Sequence, residues 1–136
     1  MKSFAFAAAL MMAAAPLAAQ PVSVAGGNWD NIPAIDAKGD YQISTDTMER
    51  LATLAEEKVC DVPGFKRNRI NLTVPFLVQF DAQKTVQRVV VARLGCTQLE
   101  QLLGGAALQL SKMGEYAPTG ENQTGWYRSE LSLSLR

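Results

Sequence analysis

The chain has 136 residues, 13 basic against 13 acidic, with two cysteines and no histidine. That length suits one domain, and the balanced charge argues against nucleic-acid or membrane-surface partners. The missing histidine removes the usual metal ligand and the usual general base at neutral pH, so neither a metal nor another cofactor is expected.

Residues 1–19 have the layout of a secretory signal: Lys2 supplies a positive charge, an alanine-rich apolar run follows, and Ala18 and Ala19 form a small-residue cleavage site. The run of about 16 apolar residues falls short of the about 20 that a membrane span needs, so cleavage and release without direct membrane insertion are expected, with an uncleaved anchor as the alternative. Export places the two cysteines in an oxidising compartment, where Cys60 and Cys96 are most economically a disulfide. The loop they close, about 37 residues, corresponds to about 4 kcal/mol in the chain-entropy account. A redox or catalytic thiol would need a Cys-x-x-Cys partner or a nearby base, and the sequence has neither.

Residues 20–45 carry glycines, prolines and asparagines without helical or strand period and read as an irregular N-terminal arm. The arm is either solvated or docked on the domain through Trp29, Ile32 and Ile35. From Asp46 the pattern turns helical, with Met48, Leu51, Ala52, Ala55 and Val59 on one stripe. Asp46 and Glu49 resemble a capping box, and Pro63 with Gly64 predicts a helix end near Cys60. The cluster Lys66, Arg67 and Arg69 reads as a solvated loop, with an anion site as the sharper alternative.

Residues 70–81 alternate. Leu72, Val74, Phe76, Val78 and Phe80 share one face, and Pro75, which cannot donate to a ladder, should direct its amide side to an edge or irregularity. A polar turn leads to a valine-rich strand over residues 86–94, which predicts an antiparallel hairpin. Gly95 ends that strand, and Thr97 with Glu100 forms a capping box for a helix whose stripe is Leu99, Leu102, Leu103, Ala106, Leu110 and Met113. Gly104 and Gly105 inside it mark either close approach to the sheet or a break. In the last strand Tyr127, Ser129, Leu131, Leu133 and Leu135 alternate with Trp126, Arg128, Glu130, Ser132 and Ser134.

No phosphate loop, metal-ligand cluster or nucleophile–base set can be assembled, and no enzyme activity is expected. Glu56 and Glu57 are helix-surface charges. Asp81 and Glu130 are the remaining candidates for an acid/base pair, and Asn71 and Asn122 begin weak glycosylation sequons. The last strand is the more informative feature, because an exposed sheet edge can accept a partner strand.

Together, residues 74–80, residues 86–94, the Gly95-Cys96 turn, Leu99-Glu100 with Ala106-Ala107-Leu108, Pro118 and residues 126–135 resemble the C-terminal domain of TonB family proteins. The resemblance covers residues 46–136 and implies an α+β fold in the order helix-strand-strand-helix-strand. The expected sheet is small, antiparallel and three-stranded, with two helices packed on one face. It further implies a periplasmic domain linked to transport, which binds a protein or peptide partner, such as an outer-membrane receptor segment, by strand addition at the last strand. The residues at that strand are Trp126, Tyr127, Arg128, Ser129, Glu130 and Leu131. Without the family's proline-rich linker or histidine-bearing anchor, the expectation is the binding module and not the energy transducer. The alternative is an envelope interaction protein that uses the N-terminal arm.

Overall fold

Alternation of inward and outward side chains makes Arg69–Phe80 the longest strand among the described residues, with the even-numbered residues from Ile70 to Phe80 all buried and Leu77 buried on the opposite face. The computed structural model describes residues 22–39, 41–66, 69–118 and 125–135. The expected signal segment, Arg67 and Asn122 lie outside the described residues. Chain order is β1 (Val22–Ala25), α1 (Thr45–Glu56), β2 (Phe65–Lys66), β3 (Arg69–Phe80), β4 (Val86–Ala92), α2 (Thr97–Lys112) and β5 (Gly125–Leu135).

The protein is α+β, as its sequence suggests, but the sheet has five strands and is mixed rather than three-stranded and antiparallel. β5 pairs antiparallel with β3 along its whole length, from Ile70 opposite Leu135 to Phe80 opposite Gly125. The other edge of β3 is shared: β2 pairs at Arg69 and Ile70, and β4 pairs from Phe76 onward. Pro75 falls in the gap between them, on the edge where its missing N–H costs no ladder bond, as its chemistry requires.

The added strand β1 comes from the arm. It runs parallel to β4, with Val22 opposite Val89 and Val24 opposite Val91, and forms the outer strand on that side. The reading of residues 20–45 as wholly irregular is therefore corrected. Four residues followed by two glycines are too short to show a period, and parallel pairing has no local turn to announce it.

α2 lies over β4, β1 and β3, and α1 packs against α2 and β2. Leu51 and Ala55 of α1 and Leu99, Leu103, Ala107 and Leu110 of α2 join the sheet's inner face in one core. Gly104 is where helix and sheet come closest: a Cβ there would lie 2.5 Å from Val22 Cγ1. The helix is continuous through both glycines, and Gly105 faces away, with nothing within 4 Å of its Cβ position. Of the two accounts of this pair, close approach holds for Gly104, and neither marks a break.

Both helix starts differ in detail from the capping boxes expected. α1 is capped by Ser44, whose Oγ accepts from Thr47 N at 3.2 Å, two residues before Asp46. Asp46 instead pairs with Arg50 at 3.1 Å on the exposed face. α1 stops at Glu56 rather than near Cys60, which leaves Val59 45 % exposed outside its stripe. At α2 the cap residue is Cys96, not Thr97, and Glu100 reaches past it to accept from Leu94 N and from Gly95 N, the latter at 3.0 Å. A buried carboxylate on two amides at a helix N-terminus holds this strand-to-helix turn by charge-assisted bonds. Gly95, at φ 89°, supplies the left-handed step that the turn needs. Met113 terminates α2 and is 64 % exposed instead of continuing the stripe.

Cys60 and Cys96 are disulfide-bonded, Cα to Cα 5.5 Å, and tie the segment after α1 to the β4–α2 turn. Replacing Cys96 by Ser should lower the unfolding free energy by about 2–5 kcal/mol in urea melts, with wild-type protein under reductant matching the variant. Gly104→Ala should cost about 1–3 kcal/mol through overpacking against Val22, whereas Gly105→Ala should be neutral or stabilising by up to about 1 kcal/mol. Equal melting temperatures for the two alanine variants would show that α2 and β1 are not in close contact.

Candidate functional site

Because β5 pairs with β3 on one side, its other edge is the place where a partner strand could add. The alternation expected from sequence is observed: Tyr127, Leu131 and Leu133 are buried on the inner face, and Trp126, Arg128 and Glu130 stand on the outer face. Of the six edge residues singled out, Tyr127 and Leu131 therefore offer no side chain to a partner. Phe80 and Tyr127 pack edge to face at 6.0 Å, inside the core.

The edge is not open. Arg128 directs both backbone groups outward, its N–H donating to the Pro33 carbonyl at 2.8 Å and its carbonyl accepting from Ile35 N at 2.9 Å. Ala34 thus forms a parallel bridge with Arg128. The Arg128 Nε donates to the Ile32 carbonyl at 2.8 Å, and the Ser129 hydroxyl donates to the Ile35 carbonyl at 2.6 Å. Further along, the Tyr116 hydroxyl donates to the Glu130 carbonyl at 2.9 Å, and Tyr41 Oη accepts from Ser132 N at 3.0 Å. Arg128, Glu130 and Ser132 thus each have an outward backbone group bonded by the chain itself.

These bonds also fix the arm's route. Ala25 lies at the far edge of the sheet, beside Ala92 of β4, and Pro33 lies at the edge of β5. The outer-face guanidinium of Arg128 meets Ile32, so the segment between crosses the outer face of the sheet. Of the two alternatives for the arm, docking holds: Ile35 is 4 % exposed and belongs to the core, and Trp29 is half-buried.

Between arm and edge lies a cleft of about 780 Å³, with Trp29, Asp36, Tyr41, Pro75, Tyr116 and Glu130 among its walls. Tyr116 is almost fully buried, stacked edge to face on Phe76 at 5.0 Å, with the Tyr41 ring 5.9 Å away. Burial, assisted by the neighbouring Tyr41 hydroxyl, pushes the Tyr116 phenol well above its ordinary value of 10.0.

The remaining sequence candidates do not converge here. Asp81 holds the β3–β4 turn, accepting from Gln83 N and Thr85 N at 2.9 Å each and from the Gln87 amide. Glu130 stands opposite Pro75, six positions along the chain from Asp81, so the two residues are about 20 Å apart along the strand and form no acid/base pair. Lys66 and Arg69 face each other across the β2–β3 pairing instead of sharing a loop. Among the described residues no three His, Cys, Asp or Glu side chains gather as a metal site requires.

The pairing of the arm with β5 escaped the sequence reading of the strand, although Trp29, Ile32 and Ile35 were the signal that could have found it. No family model, curated protein or solved structure matches this chain.

Tyr116 stays neutral in the fold and ionises in the unfolded chain from its ordinary 10.0, so its contribution is complete below that pH and is lost as pH rises above it. Stability measured by chemical denaturation should therefore decline above pH 10, with a shallower slope in Tyr116→Phe. At neutral pH the same variant should lose about 1 kcal/mol with the Glu130 hydrogen bond. A wild-type slope equal to that of the variant would place the phenol in solvent.

Proposed function

We propose that the protein is an exported, periplasmic binding module resembling the C-terminal domain of TonB family proteins, which takes an extended protein or peptide segment along the outer edge of β5. The observation that carries this reading is the extended segment already bridged to that edge. Residues 33–35 add to β5 in parallel at Arg128, so this edge has the geometry to accept an extended chain. The partner proposed is a segment of an outer-membrane receptor, in a role linked to transport and without catalysis.

Export is supported by the layout of residues 1–19 and by the Cys60–Cys96 disulfide, which persists in oxidising compartments. Among the described residues no helix is long and apolar enough to cross a membrane.

A second reading, in which the arm is itself the contact surface, is favoured by Trp29 and Asp30, which line the cleft beside Glu130. One titration separates the two. Isotope-labelled full-length protein is titrated with synthetic peptides from the periplasmic segments of outer-membrane receptors and followed by backbone NMR. Strand addition predicts shifts at Arg128, Glu130 and Ser132, whereas shifts confined to residues 28–32 would support the arm. Shifts elsewhere, or none, would overturn both.

A further inference from the structure

We infer that residues 33–35 are the resident occupant of the β5 edge, a built-in competitor that a partner strand must replace with an aliphatic side chain of its own in the position of Ile35. This rests on the strand-addition reading and names what the edge selects.

The arm touches β5 in the manner of a short ligand. Ile35 is 4 % exposed and belongs to the core that contains Tyr127 and Leu131, whereas its neighbours Ala34 and Asp36 are exposed. One side chain in three is thus an anchor, turned inward between two that face solvent. Every other bond the edge makes to residues 32–35 goes to backbone: the Pro33 and Ile35 groups on Arg128, the Ile35 carbonyl on Ser129, and the Ile32 carbonyl on the guanidinium. Any extended peptide supplies those groups, so the side chain at the Ile35 position is what discriminates.

Beyond its bonds to β5, the segment's one further backbone bond to the body of the domain, among the described residues, is Lys38 N–H to the Glu115 carbonyl at 2.8 Å. The segment is flanked by exposed Gly26 and Gly39, where added Cβ atoms would meet nothing within 4 Å. β1 is held separately by β4, and α1 starts only at Thr45. As a tethered occupant it competes at high effective concentration, so an incoming strand binds more tightly once the tethered one is loosened.

The probe is an acetylated and amidated synthetic peptide of residues 28–38, compared with the same peptide bearing Ile35→Asp. Each is titrated into native full-length protein and into the full-length Ile35→Ala variant, followed by backbone amide shifts. The native-sequence peptide should shift Arg128, Glu130 and Ser132, bind the variant at least about tenfold more tightly than the native chain, and lose about tenfold or more when it carries Asp. Full-length Pro33→Gly, which loosens the arm by entropy and leaves Ile35 and β5 untouched, takes the variant's place if Ile35→Ala does not fold. Equal binding of the two peptides at β5 would overturn the anchor while leaving strand addition standing. Absence of shifts at β5 in the loosened variants would overturn the resident-occupant inference, and the receptor-peptide titration on the native chain then decides strand addition by itself.

Discussion

The unbroken pairing of β3 with β5 is the constraint from which the remaining geometry follows. Eleven residue pairs, from Ile70 with Leu135 to Phe80 with Gly125, set which side chains of the last strand enter the core. A slip of one residue would turn Tyr127, Leu131 and Leu133 outward and bring Arg128, Glu130 and Ser132 in, which no core tolerates. The same register makes Arg128 direct both backbone groups away from β3, and so decides where an added strand can attach. On its opposite edge, β3 accommodates Pro75 only because β2 and β4 leave a gap there.

A sheet of this kind has two edges to manage, and the N-terminal segment covers part of both. Val22–Ala25 shields β4 by parallel pairing, and residues 32–35 close β5 after crossing the outer face. Unpaired edges invite association with other chains, and here the closure is made largely of backbone bonds and hydroxyl groups. The closure at β5 is also local. It depends on one anchoring side chain and a small set of hydrogen bonds, whereas the β3–β5 pairing runs the length of both strands. An edge that is occupied but not fused into the sheet is consistent with the strand exchange proposed above.

The helical side is fastened differently. The Cys60–Cys96 disulfide and the Glu100 carboxylate both act at the β4–α2 turn, one from the segment after α1 and the other from within α2. A thiol placed between the turn glycine Gly95 and the first helical threonine thus serves as a staple. Its neighbour Glu100 supplies the capping that the cysteine, committed to sulfur, does not provide.

Much of this was legible in the chain. Alternation over residues 70–80 and 126–135 identifies two strands and their buried faces, because a period of two is imposed by the backbone of each strand alone. Apolar spacing marks both helices, although their ends moved: Ser44 caps ahead of Asp46, and α1 stops before Val59. Two cysteines behind a secretory layout indicated the disulfide. Other features depend on groups distant in sequence and have no local signature. β1 has only four residues and pairs in parallel with β4, and Ala34 meets Arg128 across 94 positions. The availability of the β5 edge was therefore decided only by tertiary structure. By itself the sequence determined the strands β3, β4 and β5, both helices and the staple, since those follow from local periodicity and chemistry. Whether a strand's outward hydrogen bonds stay free depends on where the rest of the chain travels, and that is set by packing.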